Sequence, residues 1–433
     1  MTTIIILYNI IQLLALLLLL PLLAAWALAP KYRGRIAGRL GIALPELRPK
    51  QEGRPRIWIH ALSVGEVASS LPLVRAIRTA LPHSEIIFST TTRSGADYAR
   101  RMADQIDLFV PFPLDFYWTV KKFISHLSPD LFILIETDFW PNILWQLSRR
   151  KIPCLLANGR ITEHSFKAYG WAAFLFGPLF NSFTCLSMQI EEDARRMMGL
   201  GVAADKVVSC GNLKYDLPQS VGRQGTKSLT RAEFNLPTEG PLLVAGSTHA
   251  GEEEIIIKAF KQLLGNYPDL SLIIAPRDVN RSNEIAGLIS KSGLTCTQRS
   301  RRTTGEEAIL LLDTLGELSQ VYALANIAFV GGSLVPEGGH NPLEPAVFGK
   351  PILFGLHMQD FAEISLALLQ AGAAKEITAW NIKDILNALL ADKTLCLEMG
   401  KKAAELIKKN QGAAERYLEI IKKLLPHVQE SPD

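Results

Sequence analysis

The amino-acid sequence lacks the features that mark several large classes of protein. Across its 433 residues the formal net charge is only +4, which is too small to indicate a nucleic-acid-binding protein. The chain contains neither a GxxxxGK[ST] nor an HExxH pattern, so a P-loop and the common zinc-protease helix are excluded. We therefore expect no nucleic-acid partner, no metal centre and no cofactor.

Cysteine is also scarce. The chain has five cysteines, an odd number, and no two of them stand at a spacing typical of metal ligands. A disulfide framework or a zinc site would need paired cysteines. The scattered thiols instead fit a reducing compartment. They are Cys154, Cys185, Cys210, Cys296 and Cys396.

What the sequence has in abundance is apolar residues at its start. Residues 4–29 are almost wholly apolar, which exceeds the roughly 20 residues needed to cross a bilayer. No Lys or Arg precedes this run, so the basic start of a signal peptide is missing. A cleaved signal peptide remains the alternative, although Pro30 disfavours cleavage after Ala29. Four basic residues follow and predict a cytoplasmic location for the rest of the chain: Lys31, Arg33, Arg35 and Arg39. We expect residues 1–30 to form a single-pass, uncleaved membrane anchor.

Beyond this segment, short apolar runs alternate with amphipathic stretches of helical period. This alternation predicts βαβ units and parallel sheets, hence an α/β fold. Periodicity is lost over residues 217–240, which are rich in Gln, Ser, Gly, Thr and Pro, and it restarts at Leu242. We therefore predict two doubly wound domains, one over residues 31–220 and one over 221–433, the second ending in a helical tail.

Polar residues in the first half follow predicted strands at their carboxyl ends, where doubly wound sheets bind ligands. Glu66 opens a helix after the first strand and could serve as a general base, or could simply complement the helix dipole. Glu136 and Asp138 follow a buried strand, and Asp138 could instead cap the next helix. Arg160 could bind an anion or lie on the surface. Lys214 ends this half.

The second half contains the most informative stretch, residues 326–355. A short strand leads into a glycine-rich loop and then into an acidic helix start, Asn341-Pro342-Leu343-Glu344. Glycines allow close approach of a ligand, and a helix start attracts phosphate. Further turns between strand and helix contain Ser247, the pair Pro276-Arg277, and the Leu315-Gly316-Glu317 turn. Together these loops predict a nucleotide site in the second half.

These motifs, in this order, resemble those of the bacterial 3-deoxy-D-manno-octulosonic acid (Kdo) transferases of lipid A biosynthesis. The matching segments span nearly the whole chain: SVGEV at 63–67, ETDFWPN at 136–142, NGRIT at 158–162, GNLKYD at 211–216, GSTH.GEE at 246–253, PR at 276–277, DTLGEL at 313–318 and GGHNPLEP at 338–345. The resemblance implies a GT-B glycosyltransferase fold, two Rossmann-like domains facing a cleft. It also implies a location at the bacterial inner membrane.

The resemblance further implies roles for individual residues. The enzyme would invert configuration, take Kdo from CMP-Kdo and pass it to the lipid A precursor lipid IVA. Glu66 would be the general base, assisted by Glu136 and Lys214. Ser63, Arg160 and Ser247 would contact substrates. The residues expected to contact CMP are Pro276, Arg277, Leu315, Gly316, Glu317, Asn341, Pro342, Leu343 and Glu344. One departure from the family pattern is Asp278 after Pro-Arg, which is expected to alter a helix cap.

Two alternative functions stay open at this point. Another GT-B enzyme, such as a UDP-sugar transferase or epimerase, would bind a nucleoside diphosphate, so competition between CMP and UDP separates the two. A membrane-anchored binding protein that lost catalysis would show no turnover with CMP-Kdo.

Overall fold

A computed structural model describes residues 2–28, 36–42, 44–51, 53–100, 104–216, 229–301 and 307–425, of which residues 20–28 are described by their backbone alone. The chain divides into two compact units. Unit 1 comprises Met1–Asp216 and Gln411–Asp433, and unit 2 comprises Leu217–Asn410. Of the predicted linker, residues 217–228 lie outside the described residues, as do Lys31, Arg33 and Arg35.

Unit 1 contains a seven-stranded parallel sheet with the order β3-β2-β1-β4-β5-β6-β7. The order reverses direction between β1 and β4, which is the topological switch point of a doubly wound sheet. Its strands are β1 Arg56–Ala61, β2 Glu85–Thr90, β3 Leu108–Pro111, β4 Leu131–Ile135, β5 Cys154–Gly159, β6 Cys185–Met188 and β7 Val207–Ser209. Its helices are α1 Thr2–Leu28, α2 Val64–Ala80, α3 Arg93–Ala99, α4 Tyr117–Leu127, α5 Pro141–Arg149, α6 Glu163–Trp171, α7 Ala173–Phe180 and α8 Glu191–Gly199.

The strands of unit 1 are buried on both faces, as expected for a parallel sheet covered by helices. Alternate residues along a strand point to opposite faces. Trp58 and Phe132 therefore pack in one core, and Ile57 and Ile133 pack in the other. This two-sided burial explains why the strands appear in the sequence as continuous apolar runs.

Unit 2 has a second seven-stranded parallel sheet, of order β10-β11-β9-β8-β12-β13-β14. Its switch point lies between β8 and β12. The strands are β8 Leu242–Thr248, β9 Ser271–Pro276, β10 Thr297–Gln298, β11 Ile309–Leu311, β12 Ile327–Val330, β13 Ile352–Phe354 and β14 Ala374–Glu376. The helices are α9 Glu252–Leu263, α10 Ser282–Lys291, α11 Leu318–Val321, α12 Leu343–Val347, α13 Ala362–Gln370, α14 Ile382–Ala391 and α15 Lys393–Asn410. The short edge strands β10 and β14 were not predicted, because two or three residues give no readable pattern.

These sheets confirm the predicted α/β class with two Rossmann-like units. The last helix, α16 Ala413–Leu424, differs from the prediction, which assigned it to the second domain. It packs on unit 1 through Ala413, Ala414, Tyr417 and Ile421, in the same core as Ile57 and Ile133. Its apolar face packs against unit 1. The sequence does not show that the chain passes back from unit 2 to unit 1 before this helix.

Helix α1 is the apolar helix predicted at the start of the chain. Within the described residues it contains the one candidate membrane span, Thr2–Leu19, with a mean hydropathy of 2.3. It is thus long and apolar enough to cross a bilayer. Many of its side chains are exposed on the protein surface, where an aqueous environment would be unfavourable.

Candidate active site

The carboxyl ends of β1 and β4 bring the first group of predicted residues together at the switch point of unit 1. Glu66 lies in the first turn of α2, directly after β1, and Glu136 directly follows β4. Arg160 follows β5, the next strand in the sheet, and is partly buried. Lys214 follows β7 in a 3-10 turn, Leu213–Tyr215. All four side chains therefore start from the same edge of the sheet.

Glu66 is held by the start of its own helix. Its Oε2 accepts the backbone N–H of Leu62 at 2.6 Å, while the Ser63 hydroxyl accepts the Glu66 N–H at 3.4 Å. The side chain is 9% exposed. Glu66 therefore lies in the first turn of its helix, as predicted, and Ser63 is the N-cap residue. Among the described residues, the backbone hydrogen bond to this carboxylate is made to Oε2 and not to Oε1.

Burial raises the pKa of Glu66 to about 8. The N–H of Leu62 opposes that shift because it stabilises the carboxylate, and the charges of Glu136 and Asp138 add to it. Lys214 lowers the pKa through its positive charge. Glu136 and Lys214 therefore both lie within electrostatic reach of Glu66. A carboxyl group with a pKa near neutrality is suited to act as a general base.

Glu136 is fixed by an unusual backbone conformation. It has a φ of +64°, and Asn158, which contacts it, has a φ of +59°. Asn158 Nδ2 donates to Oε1 of Glu136 at 3.4 Å, and the Ser69 hydroxyl donates to the same oxygen at 3.3 Å. Positive φ at non-glycine residues costs free energy and is often found at functional sites. It turns both side chains toward the carboxyl edge of the sheet.

Asn158 also joins Glu136 to the loop of Lys214. Its Oδ1 accepts the Leu213 N–H at 3.0 Å, and its backbone carbonyl accepts a hydrogen bond from Gln189 at 3.0 Å. Gln189 Oε1 in turn accepts from Asn212, whose Oδ1 accepts the Lys214 N–H at 2.9 Å. A continuous hydrogen-bond network therefore positions Glu136 and Lys214 relative to each other.

The last helix of the chain, α16, makes further hydrogen bonds with this network. The hydroxyl of Tyr417 accepts the Asn158 N–H at 2.8 Å and donates to the Gly211 carbonyl at 3.2 Å. The carboxylate of Asp216 accepts the N–H groups of Gly412 and Ala414. Helix α16 therefore holds both ends of the GNLKYD segment, and belongs to the site of unit 1.

Asp138 has a different role from the helix cap that the sequence suggested. The residue before α5 makes no side-chain cap hydrogen bond, and it is Asp115 that accepts the N–H groups of Asn142 and Ile143. Asp138 Oδ2 instead contacts His60 Nε2 at 3.0 Å. His60 is fully buried and its ring stacks on Phe112. The cap interpretation is therefore wrong, and His60 holds Asp138 at the edge of the site.

The switch point of unit 2 carries the second group of predicted residues. Gly331 begins the loop after β12, and a Cβ there would lie 2.2 Å from the carbonyl oxygen of Ser247. Only glycine therefore lets this loop pack against the end of β8. Ser247 itself has a φ of +55°. The close approach that Gly331 allows in the structure is made between two segments of backbone.

Glu252, in the first turn of α9, organises that loop. It is fully buried, and its two oxygens accept four backbone N–H groups at 2.8–3.0 Å. The donors are His249, Gly332, Ser333 and Leu334. Such a carboxylate is a structural anchor, because its hydrogen-bonding capacity is used within the protein. The sequence places Glu252 in the motif at 246–253 but does not predict this anchoring role.

Arg277 and Glu344 lie near each other at this edge. Arg277 is exposed directly after β9, and Glu344 is partly buried in α12. Burial raises the pKa of Glu344 to about 7, and the charge of Arg277 opposes this shift. Asn341 caps the helix, since its Oδ1 accepts the Leu343 N–H at 3.1 Å. Pro276 ends β9, and Pro342 precedes α12. These predicted residues therefore come together.

Two histidines of the recognised motifs, to which the sequence analysis assigned no role, lie beside this group. His249 Nε2 and His340 Nε2 lie 2.8 Å apart with nearly parallel rings. Burial, with the nearby charges of Arg277 and His249, lowers the pKa of His340 to about 4. At neutral pH the ring of His340 is therefore neutral and adds no charge to this edge.

In the Leu315-Gly316-Glu317 turn, which was predicted to contact CMP, the side chain of Glu317 is bound to other residues of unit 2. Glu317 binds Arg299 at 2.9 Å and also accepts the hydroxyl of Thr314. These contacts lower the pKa of Glu317. Arg299 lies over the ring of Phe234, 4.3 Å from its centroid. Leu315, in contrast, is 76% exposed and Gly316 is exposed as well, so these two residues of the turn are open to a ligand.

Three other predictions can be compared with the structure. Asp278, the departure from the family pattern, caps the 3-10 turn Val279–Arg281 through the Asn280 N–H. Cys154 and Cys210 are buried, and all five cysteines are free thiols. Within the described residues, no group of three or more His, Cys, Asp or Glu side chains could hold a metal ion.

The sequence did not predict the roles of five residues that hold the site: His60, Asn158, Gln189, Glu252 and Tyr417. These residues act through partners that are distant in the sequence. Asn158 had a usable signal, because Asn before Gly often adopts positive φ. The others had no signal beyond their position in or near a recognised motif.

Comparison with known proteins agrees with this architecture. The model of the family described as 3-Deoxy-D-manno-octulosonic-acid transferase (kdotransferase) matches residues 34–217. The chain is 34% identical to the 3-deoxy-D-manno-octulosonic acid transferase of Haemophilus influenzae, covering 92% of this chain and 93% of that protein. It is 30% identical to the enzyme of that name from Rickettsia typhi, covering 86% and 80% respectively.

Among solved structures, a putative UDP-N-acetylglucosamine 2-epimerase from Listeria monocytogenes covers 88% of this chain and 99% of its own, with a TM-score of 0.59 and 13% identity. At that identity the likeness concerns the fold alone, and it confirms the GT-B architecture. Identity to the Haemophilus influenzae enzyme extends over nearly the full length of both chains. The chain therefore belongs to the 3-deoxy-D-manno-octulosonic acid transferase family, a family of glycosyltransferases.

Proposed function

We propose that this enzyme transfers Kdo from CMP-Kdo to lipid IVA with inversion at the anomeric carbon. The observation that carries the proposal is the environment of Glu66. Its carboxyl group is at the switch point of unit 1, its pKa is raised to about 8, and Glu136 and Lys214 act on it electrostatically. A weakly acidic carboxyl group beside a cation is a suitable base for a sugar hydroxyl.

In the proposed reaction, Glu66 removes the proton from an acceptor hydroxyl as its oxygen attacks the anomeric carbon of Kdo. The bond from that carbon to the phosphate oxygen breaks, and CMP leaves with the electron pair. Attack opposite the leaving group inverts the configuration. We assign Glu136 and Lys214 to stabilise charge near the attacked carbon. Ser63 and Arg160 would contact the acceptor from the same edge of unit 1.

Unit 2 is the proposed donor site. Arg277 supplies positive charge for the phosphate, which is a monoester when it leaves and so needs less charge compensation than a diphosphate. Glu344 and Asn341 would contact the nucleoside hydroxyls or base. The rest of the donor site would be lined by the backbone around Ser247, Leu343 and the Leu315–Glu317 turn. Pro276 and Pro342 would fix the conformation of the adjoining loops. The likeness of the chain to Kdo transferases supports this choice of donor.

We also propose that the enzyme acts at the bacterial inner membrane, with both units on the cytoplasmic face. Support comes from the apolar helix α1 and from the lipid nature of the proposed acceptor. Attachment to the surface that contains the acceptor would raise its effective concentration.

The decisive experiment is incubation of the purified full-length enzyme with CMP-Kdo and lipid IVA, followed by mass spectrometry of the lipid. A mass increase by one or more Kdo residues is expected. CMP should inhibit the reaction and UDP should not. Turnover with a UDP-sugar in place of CMP-Kdo, or no transfer to lipid IVA, would contradict the proposal.

A further inference from the structure

Helix α1 carries a polar stripe in its apolar sequence. Ile5, Tyr8, Asn9 and Gln12 are separated by three, one and three residues, so they lie on one face of the helix. Ile5 is only 2% exposed, whereas neighbours on the other faces, such as Leu7 and Ile11, are more than half exposed. One face of the first three turns therefore lies against protein.

That face makes specific hydrogen bonds with the rest of unit 1. The hydroxyl of Tyr8 donates to Asp115 Oδ2 at 3.1 Å. The side chains of Asn9 and Asn142 exchange two amide hydrogen bonds, at 2.7 and 3.1 Å. Gln12 Oε1 lies 3.4 Å from Asn142 Nδ2. Asn142 is fully buried and Asp115 is 6% exposed, so these contacts satisfy polar groups that lack access to water.

The segment that follows α1 contacts the same part of unit 1. Arg39 Nε donates to the carbonyl of Phe112 at 2.9 Å, and the Leu114 N–H donates to the carbonyl of Arg39 at 3.0 Å. Tyr8 binds Asp115, the residue after Leu114. The beginning of α1 and the chain beyond its end are therefore both attached to one short segment of unit 1, residues 112–115.

This arrangement does not fit a helix that crosses the bilayer with its N-terminus on the far side. From Asn9 to Leu28 the helix is about 28 Å long at 1.5 Å per residue, close to the roughly 30 Å thickness of the hydrocarbon core. In a single pass, Tyr8 and Asn9 would lie a full membrane away from Asp115 and Asn142. Their amide and hydroxyl groups would then be unpaired in hydrocarbon, which is unfavourable.

We infer that α1 is a docked, monotopic membrane helix whose N-terminus stays on the same side of the bilayer as the two catalytic units. Its polar stripe binds unit 1 and its exposed apolar faces lie in lipid. This inference rests on the proposed membrane location and replaces the single pass predicted from the sequence. The residues that would contact lipid are Ile6, Leu7, Ile10, Ile11, Leu13, Leu14, Leu17, Leu18 and Leu19.

The docking contact also reaches the acceptor site. Asn142 is in the first turn of α5, which starts at Pro141, directly after the loop of Glu136 and Asp138. The pair formed by Asn9 and Asn142 therefore helps to fix the start of that helix, and with it the loop. The membrane helix is thus a positioning element for the site as well as an attachment to lipid.

Cysteine labelling tests the topology without requiring turnover. Thr3→Cys at the exposed start of α1 and Glu163→Cys, exposed on α6, would be treated with a membrane-impermeant maleimide. The wild-type chain gives the background of the five native cysteines. We expect both new cysteines to react in inside-out vesicles and neither to react in right-side-out vesicles. Reaction of Thr3→Cys from the opposite side to Glu163→Cys would overturn the inference.

Substitutions in the stripe test the docking contact in the full-length protein. Asn9→Leu removes the amide pair and keeps the helix apolar, whereas Ile10→Leu changes an exposed face and is the matched control. Hydrogen exchange in residues 137–147 is expected to accelerate about fivefold or more in Asn9→Leu, since a buried hydrogen bond is lost, and not in Ile10→Leu. Both variants should stay in the membrane fraction. Equal exchange in the two variants would contradict the docking.

A comparison of transfer rates completes the test. With detergent-dispersed acceptor, where attachment to a bilayer gives no advantage, Asn9→Leu should be slower than Ile10→Leu while its affinity for CMP is unchanged. If the wild-type enzyme shows no transfer at all, the proposed function fails, but the labelling and exchange results still decide the docking. Equal rates with altered exchange would remove the link between α1 and the acceptor site.

Discussion

His60 Nε2 lies 3.0 Å from Asp138 Oδ2, so a hydrogen bond joins these two residues at the edge of the acceptor site. On the other side of the ring, Nδ1 lies 3.0 Å from both the carbonyl oxygen and the hydroxyl of Ser89. Burial lowers the pKa of His60, and the hydrogen bond to Asp138 opposes that shift. In a neutral His60, Nδ1 can accept from the Ser89 hydroxyl while Nε2–H donates to Asp138.

The first prediction follows from this hydrogen bond. In Asp138→Asn the side-chain amide can donate to or accept from Nε2 of a neutral His60, so the hydrogen bond is kept while the carboxylate is removed. We expect transfer within a few-fold of wild type and nearly unchanged stability. Asp138→Ala should lower the free energy of unfolding by about 1–3 kcal/mol, because a buried ring nitrogen loses its partner. Urea denaturation and transfer assays check both variants. Equal damage in the two would mean that the ionised carboxylate itself is required.

The second prediction concerns Glu66 as the base. Glu66→Gln keeps an oxygen that can accept the Leu62 N–H, so the helix start should remain folded. We expect the transfer rate to fall by roughly 100- to 10,000-fold, the usual effect of losing a general base. Glu163→Gln, also at a helix start but exposed, is the control and should have wild-type activity. Retained turnover in Glu66→Gln would assign the base to another residue.

The third prediction is a pH dependence. Glu66 must be ionised to act as a base, and its pKa is raised to about 8. The transfer rate should therefore rise with pH up to about 8. Because Lys214 lowers this pKa, Lys214→Met should move the rise to higher pH, whereas Lys214→Arg keeps the charge and should leave it nearly in place. A pH–rate profile unchanged in Lys214→Met would contradict the electrostatic link.

The raised pKa of Glu66 also makes the free energy of unfolding depend on pH. The pKa of Glu66 in the folded protein lies above its ordinary value of 4.5, so folding favours the protonated form. Its contribution to stability is therefore fully present below pH 4.5 and is lost as the pH rises to about 8. Glu66→Gln should lack this contribution to the pH dependence, which denaturation at several pH values can measure.

The fourth prediction concerns the donor site. Arg277→Ala and Glu344→Ala should each weaken CMP binding by about 10- to 100-fold, since charge-assisted hydrogen bonds contribute roughly 1.5–3 kcal/mol. Lys258→Ala, an exposed lysine on α9 of the same unit, is the control. Titration calorimetry with CMP gives the affinities. If both variants bind CMP as the control does, these residues lie outside the donor site.

The fifth prediction concerns the loop that Glu252 holds. Glu252→Gln replaces one acceptor oxygen by an N–H group that faces backbone donors. We expect the free energy of unfolding to fall by about 1–3 kcal/mol, and CMP binding to weaken because the loop after β12 loses its tether. Glu254→Gln, exposed in the same turn of α9, should change neither. Unchanged stability in Glu252→Gln would show that the four hydrogen bonds are dispensable.

Much of this protein was determined by its sequence alone. Alternation of apolar strands and amphipathic helices predicted two parallel α/β units, because burial on both faces of a sheet leaves a local signature. The ordered motifs predicted the family. They also selected Glu66, Glu136, Lys214, Arg277 and Glu344 as candidate site residues, since residues at the carboxyl ends of parallel strands lie at one edge of each sheet.

Tertiary structure alone decided how those residues are held. Tyr417 binds the backbone of Asn158 across 259 residues of sequence, and Tyr8 binds Asp115 across 107. These contacts moved the last helix into unit 1 and changed the interpretation of the first helix. The physical reason is that periodicity reports which face of an element is buried, but not which distant group satisfies a buried polar atom. That partner is set by packing, and packing exists only after the chain has folded.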